Sequence, residues 1–122
     1  MTIKNYLVDI DGTVCDDIPN EEAERMRTAK VFPGVLERIN TWYEQGHTIT
    51  FFTSRTEEHR EYTEEWLHRH GFKYHSILFG KPRGGNYYWI DNHMQGAAKS
   101  IKTLDKGALA PLALWGSRYA AT

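Results

Sequence analysis

Two aspartates, Asp9 and Asp11, stand one residue apart in the segment Asp-Ile-Asp-Gly-Thr, directly after an apolar run. Carboxylates this close repel one another unless a cation lies between them, so the pair implies a metal. At background residue frequencies, Asp-x-Asp-Gly-Thr should arise by chance in a chain of this length roughly once in a thousand. The alternative is a plain turn, since Asp11-Gly12 is a common turn pair.

Three further sets of polar residues each follow a predicted strand. They are Thr53 with Ser54, Lys81, and Asp91 with Asn92. Each set alone has an ordinary interpretation as a strand end, a solvated turn charge or a turn. Their occurrence in this order, with every set at the end of a strand, favours one shared site.

These residues are positioned by alternating strands and helices. Strands are predicted at 3–10, 47–52, 74–79 and 87–90, with an edge strand at 108–115. A turn and small flap are expected over 13–32, and a helix over 97–106. The first helix opens at Pro33 and is capped by Gly46; the second has Ser54 and Glu57 as a capping box and ends at Gly71. This alternation predicts a single α/β domain over residues 1–122, with a parallel sheet of about five strands. In such sheets, ligands bind at the carboxyl ends of the strands.

Composition narrows the class of protein. The 15 Lys and Arg residues nearly balance the 16 Asp and Glu residues, so there is no bulk basic field for nucleic acid. The single cysteine, Cys15, excludes an internal disulfide. Because no stretch of about 20 apolar residues is present, we expect no membrane partner and a cytoplasmic location.

The order Asp-x-Asp-Gly-Thr, strand-end Thr53, Lys81 and strand-end Asp91 resembles the haloacid dehalogenase (HAD) superfamily of phosphohydrolases, over Tyr6–Asn92. The resemblance implies a HAD-like Rossmannoid core, with three α/β/α layers around a central parallel sheet. Some segments are also similar to small capless proteins of capsular polysaccharide loci. These segments are Ile39-Asn40, Trp42-Tyr43, residues 46–50, Lys73-Tyr74-His75 and Gly80-Lys81-Pro82.

The same resemblance implies a Mg²⁺-dependent phosphomonoester hydrolase. Asp9 would be the nucleophile that forms an aspartyl phosphate, and Asp11 the general acid and base, with a raised pKa. Mg²⁺ would be held by a carboxylate oxygen of Asp9, the main-chain carbonyl of Asp11 and the side chain of Asp91. The expected substrate is a sugar phosphate, a nucleotide or a larger phosphoester.

The phosphoryl oxygens of the substrate would be held by hydroxyl, ammonium and amide groups. The residues that carry them are Thr53, Ser54 and Lys81, with exposed amides at Asp11 and Gly12. Arg55 and Arg83 are adjacent to these candidates in the sequence. We interpret both arginines as solvated surface residues, with a substrate clamp as the alternative.

Two other functions stay open. Many relatives carry a second acid near the Asp91 position, where this chain has Asn92, so a catalytically silent binding module is one alternative. Phosphotransfer through Asp9 to an acceptor other than water is the other.

Access to the site can be predicted from spacing. The 20 residues between Gly12 and Pro33 and the 27 between Thr53 and Lys81 leave no room for a cap domain. An uncapped site predicts either a homo-oligomer whose partner covers Asp9 or a bulky substrate.

Overall fold

The computed structural model describes residues 2–101. The chain forms two compact units, Met1–Arg83 and Gly84–Thr122. The single domain predicted over 1–122 therefore stays a prediction. No helix among residues 2–101 is long and apolar enough to cross a bilayer.

A three-stranded parallel sheet lies in the first unit, with the strands in the order β1 (Asn5–Val8), β2 (Thr48–Phe52) and β3 (Ser76–Leu78). Tyr6 pairs with Ile49, and Phe51 with Ile77. Ile49 and Phe51 are fully buried on the central strand, as expected where a parallel sheet is covered by helices. The α/β fold class is confirmed.

Helix α1 (Val35–Glu44) connects β1 to β2 and buries Val35, Ile39 and Trp42. Their spacing of four and three residues puts them on one face of the helix. Gly46 follows the helix with a φ of 93°, a left-handed conformation that ends helices and favours glycine. The predicted first helix is confirmed.

Helix α2 (Arg60–Arg69) connects β2 to β3 and follows a short 3₁₀ turn at Glu57–His59. The predicted capping box of Ser54 and Glu57 is wrong, because Thr56 precedes the turn and its N–H donates to His59 Nδ1 at 3.2 Å. The helix buries Trp66, whose indole N–H donates to the carbonyl of Ala29 at 3.0 Å. This bond connects α2 to the predicted turn and flap, residues 13–32.

The predicted flap contains a 3₁₀ helix at Asn20–Arg27, which we call the flap helix. It lies in the first of the two spacings in which a cap domain could be inserted. The second spacing holds the 3₁₀ turn, α2 and β3. Neither interval contains a separate cap domain.

The second unit is described over residues 84–101, where the fourth strand predicted at 87–90 does not form. Gly84 and Gly85 have φ values of 119° and 100°, which interrupt an extended chain. Asp91 instead accepts local hydrogen bonds from the Trp89 indole and the His93 amide, a bonding pattern that competes with a strand ladder. Most of the helix predicted at 97–106 and all of the strand at 108–115 lie outside the described residues.

Candidate active site

The predicted strand ends of the first unit supply the site. Asp9 and Asp11 follow β1, Thr53 and Arg55 follow β2, and Lys81 follows β3. The three strands are parallel, so their carboxyl ends lie at one edge of the sheet. Hydrogen bonds join these residues in two groups, one around Asp9 and one around Asp11.

A tight turn after β1 holds both aspartates. The carbonyl of Ile10 accepts bonds from the amides of Thr13, at 3.1 Å, and Val14, at 2.8 Å. Ile10 and Val14 are fully buried, which anchors the turn in the core. Gly12 has a φ of 83°, in the left-handed region that favours glycine.

The expectation that the Gly12 amide is exposed for phosphate is wrong. Its N–H donates to the carbonyl of Cys15 at 2.9 Å, because closing the turn requires this bond. Within residues 2–101, the Asp11 amide has no such acceptor. Of the two amides, only that of Asp11 keeps its donor for a ligand.

Asp9 is bonded through both carboxylate oxygens. Lys81 Nζ lies 3.1 Å from Oδ1, and the Thr13 hydroxyl donates to Oδ2 at 3.2 Å. The Asp9 side chain is 34% exposed and that of Lys81 is 14% exposed. A carboxylate is thus accessible to solvent while a cation compensates its charge. The sequence motif includes Thr13 but does not indicate its contact with Asp9, which the structure shows.

The main chain fixes the position of Lys81. Its amide donates to the carbonyl of Thr53 at 2.9 Å, and the Gly80 amide donates to the carbonyl of Arg55 at 2.8 Å. Gly80 has a φ of 79°, so the turn between β3 and Lys81 favours glycine. These bonds join the loop after β3 to the loop after β2.

Thr53 is fully buried, and its Oγ1 accepts the Arg55 amide at 3.1 Å. An acceptor hydroxyl retains its own proton for a second hydrogen bond, and the role of Thr53 toward phosphate stays a prediction. Ser54 is half-buried, and its carbonyl accepts the Asn20 side-chain amide at 3.1 Å. Ser54 therefore connects the flap helix to the loop after β2, and its role toward phosphate stays a prediction.

Asp11 forms a bidentate ion pair with Arg55. Arg55 Nε donates to Oδ2 at 2.9 Å and Nη2 to Oδ1 at 2.8 Å, while Nη1 donates to the Thr63 hydroxyl at 2.9 Å. The Arg55 side chain is fully buried and that of Asp11 is 10% exposed. Our interpretation of Arg55 as a surface residue is wrong, because Asp11 compensates its charge inside the protein. Its position two residues after Thr53 places it beside the site in the sequence but does not indicate burial.

Arg83 differs from Arg55, as its side chain is 58% exposed and its Nη1 lies 3.5 Å from Glu21 of the flap helix. The interpretation of Arg83 as a surface residue is confirmed.

Cys15 is fully buried within the same turn. Burial, followed by the negative charge of Asp11, raises the pKa of its thiol to about 12. The thiolate is the reactive form of cysteine, so this thiol is inert at neutral pH.

Asp91 lies in the second unit, where the Trp89 indole N–H donates to its Oδ2 at 3.3 Å. This hydrogen bond is the main cause that lowers the pKa of Asp91. Its role as a metal ligand stays a prediction.

The donors of the first unit suit Mg²⁺ by their chemistry. The Asp9 carboxylate and the Asp11 carbonyl are hard oxygen donors, and Asp9 is partly exposed. Among residues 2–101, no three acidic, histidine or cysteine side chains gather into a metal site. Mg²⁺ commonly uses one or two carboxylates and completes its octahedron with water and phosphate oxygens, so a small protein donor set fits it.

The parallel sheet, with an acid pair after its first strand and a lysine after its third, defines a HAD-like phosphatase fold. Solved structures share this fold. An MCSG target from Vibrio cholerae is 26% identical, with a TM-score of 0.56, over 73% of this chain and 80% of that one. A chain of the Pnkp1/Rnl/Hen1 RNA repair complex is 25% identical, with a TM-score of 0.57, over 74% of this chain and 29% of that one.

The family follows from the sequence. The model of the LNS2 domain of PITM 1-3 matches residues 6–117, and the chain belongs to this family. A Bacillus cereus protein named "Putative nucleotidase" is 40% identical over 48 residues. That match covers 39% of this chain and spans a quarter of the Bacillus cereus protein.

Proposed function

We propose that this chain is a Mg²⁺-dependent phosphomonoester hydrolase that works through an aspartyl phosphate on Asp9. The observation that carries the proposal is the placement of Asp9 after β1, one-third exposed and bonded to Lys81 at 3.1 Å. A partly exposed carboxylate beside a lysine is suited to attack a phosphoryl group whose negative charge the lysine balances. The HAD-like phosphatase fold supports the same reaction.

In the first step, a carboxylate oxygen of Asp9 forms a bond to phosphorus, and the bond from phosphorus to the ester oxygen breaks. The leaving oxygen takes a proton from the carboxyl group of Asp11, so the product alcohol departs neutral. Covalent attack divides one difficult displacement into two easier ones.

In the second step, Asp11 accepts a proton from water, and the oxygen of that water attacks phosphorus. The bond from phosphorus to Asp9 breaks, which releases inorganic phosphate and restores the carboxylate. Asp11 again carries the proton that it donates in the next cycle, so the protons balance.

The phosphoryl oxygens need donors that are already in place. Lys81 has three N–H donors and can contact Asp9 and a phosphoryl oxygen together. The buried Thr53 hydroxyl and the Asp11 amide supply two neutral donors.

Mg²⁺ would be held by the Asp9 carboxylate and the Asp11 carbonyl, with water and phosphoryl oxygens as further ligands. When bound, it supplies positive charge that offsets the repulsion between a carboxylate and a phosphoryl group.

The substrate class follows from the open architecture. Because neither interval beside the site holds a cap, contacts must come from the flap helix, from a second subunit or from a large substrate. A nucleotide, a sugar phosphate or a larger phosphoester fits this requirement. The Bacillus cereus relative and the RNA repair complex support the nucleotide class. The sugar phosphate class stays an expectation from the sequence.

A catalytically silent binding module is the second candidate, favoured by one observation. Both oxygens of Asp11 are bonded to Arg55, so the group that must transfer protons is occupied. Such a module would bind phosphoesters at Lys81 without turning them over.

A phosphate-release assay separates the two candidates. The purified chain is given a panel of nucleotides, sugar phosphates and aryl phosphates, with Mg²⁺ or with EDTA. We expect release that requires Mg²⁺ and is absent from Asp9→Asn. Binding of phosphoesters without release, in a folded protein, would favour the silent module.

A further inference from the structure

Arg55 stands out among the charged residues that are not assigned a step in the reaction. Among the lysine, arginine, aspartate and glutamate residues within 2–101, Arg55 alone is fully buried. Burying an arginine costs free energy of folding unless the nitrogens of its guanidinium are hydrogen-bonded and its charge is compensated. Arg55 satisfies both conditions with Asp11 and Thr63.

The contacts of Arg55 connect three parts of the site. Its guanidinium holds Asp11 after β1, and its amide donates to the Thr53 hydroxyl after β2. Its carbonyl accepts the amide of Gly80, next to Lys81. The Thr63 hydroxyl on α2 accepts a hydrogen bond from Nη1, the third nitrogen of the guanidinium. This bond anchors the guanidinium on α2 independently of Asp11.

A bidentate ion pair restrains both the position of a carboxylate and the orientation of its plane. Asp11 must present an oxygen to the leaving group in the first step and to water in the second. Misplacement of a proton donor by about 1 Å can cost on the order of 10²-fold in rate.

We propose that Arg55 is a positioning residue that sets the orientation of the Asp11 carboxylate for proton transfer, held in turn by Thr63. This rests on the proposed function, because it assigns Arg55 a part in that reaction. The guanidinium of Arg55 binds Asp11 and Thr63, so it acts through Asp11, in contrast to Lys81, which contacts Asp9 directly.

The prediction is a loss that depends on the leaving group. Phenyl phosphate and para-nitrophenyl phosphate are similar in size, but nitrophenolate leaves with little help from a general acid. In Arg55→Met, we expect kcat/KM, which reports the first step alone, to fall on the order of 10²-fold for phenyl phosphate and by a several-fold smaller factor for para-nitrophenyl phosphate. An equal loss on both substrates would overturn the proposal.

Two further variants separate positioning from folding. Arg55→Lys keeps a buried charge but lacks the planar fork, so it should fold and still show the dependence on leaving group. Arg60→Met is the matched control, because Arg60 forms the same fork with Glu57 on an exposed surface. It should keep wild-type kinetics. Arg55→Met in an Asp11→Asn background should cost little more than Asp11→Asn alone, since nothing is left to position.

Crystal structures of the wild type and Arg55→Lys give a readout that does not depend on activity. We expect one Asp11 rotamer facing Arg55 in the wild type, and a different or divided rotamer in the variant. An unchanged Asp11 rotamer overturns the positioning role even if the enzyme is active. Absence of phosphatase activity in the wild type overturns the proposed function, and the rotamers then decide separately whether Arg55 orients Asp11.

Discussion

Two forked ion pairs in this protein share a geometry and differ in their surroundings. The nitrogen–oxygen distances are 2.8 and 2.9 Å between Arg55 and Asp11, and 2.7 and 2.9 Å between Arg60 and Glu57. The side chains of the first pair are 0% and 10% exposed, those of the second 44% and 70%. Water competes for the exposed hydrogen bonds and screens the exposed charges. In the buried pair, water cannot replace a lost partner. An arginine and a carboxylate thus form a solvated surface pair in one place and part of a candidate active site in the other.

The lysines repeat this contrast. Lys81 pairs with Asp9 at the strand ends, with side chains 14% and 34% exposed. Lys73 pairs with Glu44 on the surface, where the side chains are 51% and 60% exposed. An ion pair alone therefore does not mark a functional site here. Burial, together with contacts to neighbouring strand ends, distinguishes the two regions.

The largest expected effect comes from breaking each forked pair on its acidic side. Asp11→Ala leaves Arg55 buried and uncompensated, and should lower the free energy of unfolding by roughly 3 to 5 kcal/mol. Glu57→Ala leaves Arg60 exposed and still bonded to Glu64, so its effect should be small. Urea unfolding of the two variants at pH 7 measures the difference. Equal losses of stability would show that burial does not separate the pairs.

Replacing each of the two lysines tests whether only the less exposed one contributes to phosphatase activity. Lys81→Met removes the charge that balances Asp9 and the phosphoryl group, so phosphatase activity should fall roughly 10² to 10³-fold. Lys73→Met should keep wild-type activity. Steady-state kinetics on one phosphoester, with circular dichroism to verify folding, test this pair. Similar activities in both variants would remove Lys81 from the site.

The smallest effect is a dependence of stability on alkaline pH. Below about pH 9, the Cys15 thiol is neutral in both the folded and the unfolded chain. As the pH rises from 9 toward 12, the unfolded chain releases this proton while the folded chain retains it, because burial raises the thiol pKa to about 12. Stability should therefore fall over this window, and the fall should be weaker in Cys15→Ala. Identical pH profiles for the two proteins would contradict the buried assignment.

Much of the fold could be predicted because its signals are local. The apolar stripe of α1 repeats at helical spacing, and the β-branched and aromatic residues of β2 mark a strand. The meeting of Asp9 with Lys81, 72 residues apart, followed from one rule about the carboxyl ends of parallel strands.

The burial of Arg55 could not be predicted, because it depends on a partner 44 residues away and on a hydroxyl of α2. Sequence indicates that arginine is usually exposed, and only tertiary contacts reverse that preference. The strand at 87–90 was wrongly predicted, and the reasons are local. Its composition favours a strand, but Gly84, Gly85 and the local bonds of Asp91 favour irregular structure.

The central claim is that Asp9 carries the phosphoryl group during the reaction. Rapid mixing of the enzyme with a phosphoester and Mg²⁺, followed by acid quench and peptide mass spectrometry, detects such an intermediate directly. We expect the mass of one HPO₃ group on the peptide that contains Asp9, and none on the same peptide from Asp9→Asn. An enzyme that turns over while its Asp9 peptide stays unmodified at every quench time, with activity retained in Asp9→Asn, would contradict the account.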